Sequence, residues 1–116
     1  MVVLGVSGYR NFTNYEQFRN CLSEIQDVEM IVTGGCKGTD ALAERYAQEH
    51  NIPITVIPAD WSLGKRAGPM RNAEIVRSSD MLVAFLHPNS KGTRDVITKA
   101  KQMKKTCVVV NILAPT

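Results

Sequence analysis

Short unbroken apolar runs alternate along this chain with stretches whose apolar residues recur every three or four positions. The runs are Val2 to Val6, Val28 to Thr33, Ile54 to Ile57, Met81 to Leu86 and Cys107 to Ile112, and they read as strands. Between the first two, Tyr15, Phe18, Leu22 and Ile25 fall on one helical face, with Asn14 placed to cap it. A helix from Thr39 to His50 buries Leu42, Ala43, Tyr46 and Ala47. A third runs from Pro69 to about Ser78, with Arg71 and Asn72 in its first turn, and a fourth over 92–104 presents Val96, Ile97 and Ala100. Gly34-Gly35 stops the second strand, and Pro53 and Pro58 fence the third.

Unbroken apolar strands separated by amphipathic helices predict a parallel sheet covered on both faces. With right-handed crossovers, five strands give an α/β, Rossmann-like three-layer sandwich of order 3-2-1-4-5. Residues 1–116 then form a single domain. Winding reverses between strands one and four, and ligands of such sheets sit at that reversal, beyond the carboxyl ends of the strands. The segments leaving those ends are Ser7-Gly8-Tyr9-Arg10, Gly34-Gly35-Cys36-Lys37-Gly38 and His87 to Thr93. The topology gathers all three on one edge.

Composition narrows the partner. A net charge of +3 in 116 residues accommodates an anion without the clustered excess expected for nucleic acid. Cys21, Cys36 and Cys107 are widely spaced and form no C-x-x-C pair, which fits reduced thiols in the cytoplasm. His50 and His87 are solitary, so no metal is expected. No apolar run approaches the ~20 residues of a membrane span, and Met1-Val2-Val3-Leu4 lacks the basic lead of a signal peptide.

The candidate chemistry lies in the loops. Glycines in Gly34-Gly35-Cys36-Lys37-Gly38-Thr39-Asp40 let backbone approach a ligand, and Thr39 or Asp40 can cap the following helix. The pattern is neither a P-loop nor G-x-G-x-x-G. Arg10 suits a phosphate, and Tyr9 a base or ribose. The longest loop, Asp60 to Gly68, reads as a mobile flap carrying Trp61, for base stacking or core cover, and Lys65. Arg71 near a helix start opposes the dipole, a conflict that a bound anion removes. Ser90 or Asn89 can cap the fourth helix, where Lys91, Gly92 and Thr93 offer an anion site; Asp95 complements its dipole.

These residues resemble the SLOG superfamily, and within it the small YspA-like branch. The resemblance runs through Ser7-Gly8-Tyr9-Arg10, the Gly34 to Ala43 segment, Ala59-Asp60-Trp61, Gly64-Lys65, Ala67 to Asn72 and Lys91-Gly92-Thr93. It implies a Rossmann-like domain that binds nucleotides or nucleotide-derived ligands, with NAD or ADP-ribose derivatives favoured, and a homo-oligomer. The related LOG phosphoribohydrolases use a helix arginine and a glutamate after a P-G-G-x-G-T turn. Arg71 matches the arginine, including the nine-residue step to Asp80. Val96 stands at the glutamate position, and Asp95 beside it is rotated by ~100° on the helix. The other relative, the DNA-processing protein Smf/DprA, binds single-stranded DNA.

The reading that emerges is a binding protein for an adenine-type nucleotide or an NAD- or ADP-ribose-derived ligand. Gly8, Gly34, Gly35, Gly38 and Gly92 shape the phosphate pocket, Arg10 and Arg71 neutralise charge, and Asn72, Asp40 and Thr93 bond ribose or phosphate. The first alternative is an N-glycosidic nucleotide hydrolase using Arg71 and a carboxylate such as Asp95, Asp40 or Asp60. The second is a single-stranded nucleic-acid binder built on Arg10, Lys37, Lys65, Arg66 and Arg71 with Tyr9 and Trp61.

Overall fold

In the computed structural model, which describes residues 1–112, the apolar runs are strands of one parallel sheet. The order along the chain is β1 (Val2–Gly8), α1 (Tyr15–Ser23), β2 (Val28–Thr33), α2 (Thr39–Glu49), β3 (Ile54–Val56), α3 (Ala67–Ser78), β4 (Met81–Leu86), α4 (Lys91–Gln102) and β5 (Thr106–Asn111). The sheet order is β3-β2-β1-β4-β5, with every pairing parallel. The α/β, Rossmann-like expectation holds, and strand and helix bounds move by a residue or two.

Each face of the sheet has its own core. On one, Phe18 and Leu22 of α1 and Ala43 and Tyr46 of α2 pack on Leu4, Val6, Val83 and Phe85. The Phe18 and Phe85 rings stack with centroids 5.1 Å apart. On the other, Ile75 and Val76 of α3 meet Val96 and Ala100 of α4 over Val32 and Leu82. Burial on both faces is why the strands read as continuous apolar runs.

The helix starts account for the differences from expectation. Asn14 caps α1, its side chain accepting from Gln17 N at 3.1 Å, a bond worth about 1 kcal/mol. At α2 the N-cap is Gly38, not Thr39 or Asp40. Asp60-to-Gly68, expected to be a flap, instead forms a 3-10 segment, Trp61–Arg66, broken at Gly64 (φ 72°) and running into α3. Asp60 starts it by accepting from the Ser62 N–H and hydroxyl at 3.1 and 2.6 Å. Because α3 begins at Ala67, Arg71 and Asn72 lie a full turn inside the helix rather than in its first turn. The dipole conflict expected for Arg71 is therefore weak, since that effect fades within one turn.

Candidate functional site

β1 and β4 pair in parallel, with Ser7 opposite Ala84 and Gly8 opposite Phe85, and their carboxyl ends open on one edge of the sheet. A cleft of about 370 Å³ lies there. Ser7, Gly8, Tyr9 and Arg10 line it from the end of β1, Cys36 and Asp40 from the β2–α2 turn, and Trp61 from the 3-10 segment. Arg71, Asn72 and Ile75 of α3 form one wall, and Asn89 to Thr93 at the start of α4 another. A larger depression of about 420 Å³ lies on the outer face of α1, where Glu16 and Glu24 sit among amide side chains with no cation. It has no character suited to an anion.

Arg71 ties the cleft together. Its Nη1 donates to Gly34 O at 3.0 Å and its Nε to Asn72 Oδ1 at 3.2 Å, and Nη1 lies 3.7 Å from Cys36 Sγ. The ion pairs among the described residues are Arg45–Glu49, Arg77–Glu74 and Lys99–Asp95, so Arg71 carries its charge half-buried and without a carboxylate in contact. Asn72, buried, fixes it from behind by donating to Asp95 Oδ2 at 3.0 Å and to Gly92 O at 3.4 Å. Asp95 is in turn paired with Lys99 at 2.6 Å. The chain Arg71–Asn72–Asp95–Lys99 locks α3 to α4.

The glycines of the β2–α2 turn are crowded by protein, although Cys36 and Asp40 of the same turn line the cleft. A Cβ on Gly34 would stand 2.5 Å from Arg71 Nη1, and one on Gly35 would stand 2.6 Å from Val56. At Gly38, with φ 73°, a Cβ would stand 2.2 Å from Arg10 O. Thr39 clamps the same loop, its N–H and hydroxyl both donating to Tyr9 O at 3.3 and 2.9 Å. Three glycines are needed because three separate protein groups crowd the turn, so Gly34, Gly35 and Gly38 do not line the cleft.

Asp40 is the one carboxylate in the cleft lining, and it is only 7 % exposed. Its Oδ2 accepts the Cys36 N–H at 3.1 Å. Burial pushes its carboxyl above the usual aspartate range, a rise that the Cys36 N–H, the nearby Thr33 hydroxyl and the Arg71 charge oppose without cancelling. That Thr33 hydroxyl is itself buried and lacks a hydrogen bond of good geometry.

The start of α4 is built differently. Ser90 holds the N-cap position, but its hydroxyl accepts from His87 N at 3.2 Å instead of capping the helix. His87 Nδ1 accepts the Asn89 N–H at 3.0 Å, and its ring stacks on Tyr9 with centroids 4.0 Å apart. The N–H groups of Gly92 and Thr93 have no protein partner, and the Thr93 hydroxyl, on a residue 4 % exposed, also makes no hydrogen bond. Nothing lies within 4 Å of a Cβ placed on Gly92. Free N–H groups at a helix start, on the positive end of its dipole, favour an anion.

Of the residues singled out in the sequence, the structure leaves several outside the cleft lining. Lys37 and Lys65 are exposed, and Asp60 caps its own segment. Asp95 faces Lys99 and Asn72, and Val96 is fully buried in the core. Trp61 is 68 % exposed at the rim, so it does not cover the core. Sequence reasoning had not placed Cys36, Ile75, Asn89 or Ser90 in the lining. Cys36 stood inside the glycine-rich turn and Asn89 and Ser90 at the helix start, whereas Ile75 reads as ordinary core.

Residues 1–64 match the family described as YspA, cpYpsA-related SLOG family, and the chain belongs to that family. The chain is also similar to the Gene 61 protein of Mycobacterium phage D29, 36% identical over 80 residues. That alignment covers 63% of this chain and 64% of the phage protein, so the match spans a little under two thirds of that relative's length. No solved structure matches the chain significantly. No helix among the described residues is long and apolar enough to cross a membrane.

Proposed function

We propose that this domain binds a small phosphorylated nucleotide, an adenine nucleotide or an NAD- or ADP-ribose-derived ligand, and senses, sequesters or processes it in the cytoplasm. Family membership supports the coarse reading, nucleotide-related binding or processing. The observation that carries the finer one is Arg71, a half-buried cation in the cleft with no carboxylate in contact. The Asp40 carboxyl acts on Arg71 only from beyond contact distance, and a ligand phosphate offers the guanidinium a direct partner. The open N–H groups of Gly92 and Thr93 give the same anion further donors. Tyr9 and the exposed Trp61 offer aromatic surface for the base.

Hydrolysis of the phosphoribohydrolase kind through Asp95 fits the lining poorly, which leaves Asp40 as the carboxylate a hydrolase would use. The carboxylate expected beside α4, Asp95, is neutralised by Lys99 outside the cleft. A single-strand binder is the weaker reading, because Lys37 and Lys65 stand outside the cleft and leave no continuous basic groove with it.

The test is a thermal-shift panel of AMP, ADP-ribose, NAD and a short single-stranded oligonucleotide, with chromatography of each mixture afterwards. At ~100 times its dissociation constant a ligand adds about 2.7 kcal/mol of apparent stability. A mononucleotide or dinucleotide shift with the ligand recovered intact, lost in Arg71→Ala, is the expected result. Release of free base would establish the hydrolase, and a shift by the oligonucleotide alone would overturn the small-ligand reading.

A further inference from the structure

Arg71 borders a second hollow as well as the cleft. A depression of about 380 Å³ lies beside α3, and Arg71 lines both. Ile57, Pro58, Leu63 and Met70 give this second lobe an apolar wall. The other charged groups around it are engaged within the protein: Glu74 pairs with Arg77, and Asp60 accepts from the Ser62 N–H and hydroxyl. Met70 stands 50 % exposed there, a large apolar side chain that the described residues leave half uncovered.

Arg71, at the junction of the two hollows, has a donor to spare. Its Nε and Nη1 are taken by Asn72 Oδ1 and Gly34 O, whereas Nη2 meets no acceptor among the described residues. The Gly92 and Thr93 N–H groups are a separate set of anion donors on the α4 wall of the cleft. A phosphate at Arg71 has a hollow on each side of it, and a terminal phosphate uses only one of them. The lobe beside α3 favours an uncharged group that brings apolar surface out of water. We infer that this lobe is a second subsite, and that the ligand is a diphosphate ester with a flat, uncharged group on each side. One phosphate lies on the start of α4 and the other at Arg71 Nη2, while the second group packs against Pro58, Leu63 and Met70. This rests on the nucleotide reading of the cleft and names the class of nucleotide that fills both hollows.

The experiment titrates the unmodified protein in a calorimeter with AMP, ADP and 5′,5′-diadenosine diphosphate, which adds a second adenosine to ADP. The same titrations on protein with ¹³C-labelled methionine methyl groups let Met70 report an aromatic ring arriving beside it. The expected result is about 10-fold tighter binding of diadenosine diphosphate than of ADP, with the Met70 methyl resonance moved by the former and left in place by the latter. In Met70→Ser the ratio of the two affinities falls toward one. Equal affinities of ADP and diadenosine diphosphate for the unmodified protein would overturn the second subsite and leave the nucleotide site standing. Tighter binding of diadenosine diphosphate with an unmoved Met70 methyl would overturn the placement beside α3. Absence of binding by all three would overturn the nucleotide reading itself. The titrations of the unmodified protein decide the matter even if the variant does not fold.

Discussion

Two strand-to-helix turns border the cleft, and they differ in what surrounds their glycines. The β2–α2 turn has the richer motif, with three glycines, a lysine and an aspartate, yet its glycines are filled by Arg71, Val56 and the Arg10 backbone. The β4–α4 turn has a single glycine, with open space around it and unpartnered N–H groups beside it. Glycine richness thus marks close approach of backbone to something. In the first turn that something is the protein, and in the second a place remains for a ligand. Arg71 joins the two: it seals the first turn through Gly34 O and lends its charge to the cleft in front of the second.

The widest separation between the turns comes from adding one methyl group to each. Gly38→Ala forces a φ of 73° on a residue with a Cβ and drives that Cβ into Arg10 O, so a loss of about 2–4 kcal/mol in chemical denaturation is expected. Gly92→Ala meets nothing and gains helix propensity, so its stability stays within about 0.5 kcal/mol of the parent. Equal losses at both positions would erase the contrast.

Thr93→Val sharpens the binding side. It removes a hydroxyl that makes no protein hydrogen bond, so the folded state should be unharmed while AMP affinity falls by about 1 kcal/mol, measured by calorimetry. Asp95→Asn probes the lock behind Arg71: loss of the Lys99 pair in a partly exposed position costs at most about 1 kcal/mol of stability. Any effect on AMP binding would then arise through Asn72.

Smallest is the pH effect of Asp40. Its carboxyl is raised above the unfolded value, chiefly by burial, so ionising it opposes folding at neutral pH. That cost disappears as pH falls through the raised folded value and both states become protonated. Asp40→Asn should therefore raise the Tm slightly at pH 7 and leave it unchanged at pH values below the usual aspartate range. A Tm that falls at pH 7 would show that the Asp40 bond to Cys36 N–H outweighs the burial cost.

The architecture was legible because its signals are local. Strands such as Met81–Leu86 are covered on both faces and read as plain apolar runs, while Phe18 and Leu22 repeat at helical spacing. The segment 60–68 reads as a flap because it is the longest loop and carries two glycines and two cations. What shapes it is the Asp60 cap and a positive φ at Gly64, neither of which leaves a periodic trace. The role of the β2–α2 glycines was hidden for another reason. The atoms crowding Gly34 belong to a residue 37 positions away, and those crowding Gly38 to the Arg10 backbone. Local sequence announces that something approaches but not whether it is protein or ligand. The misplacement of Arg71 into the first turn of α3 has a similar origin, because the Gly68-Pro69 pair looks like a start signal although the helix opens at Ala67.

The most direct test of the contrast between the turns follows backbone amide resonances in an ¹⁵N-labelled sample during titration with AMP. If the β4–α4 turn receives the phosphate, the Gly92 and Thr93 amides shift most and saturate together, while those of Gly34, Gly35 and Gly38 move little. Large shifts confined to Gly34–Gly38, with Gly92 and Thr93 unmoved, would contradict the account and return the phosphate to the glycine-rich turn.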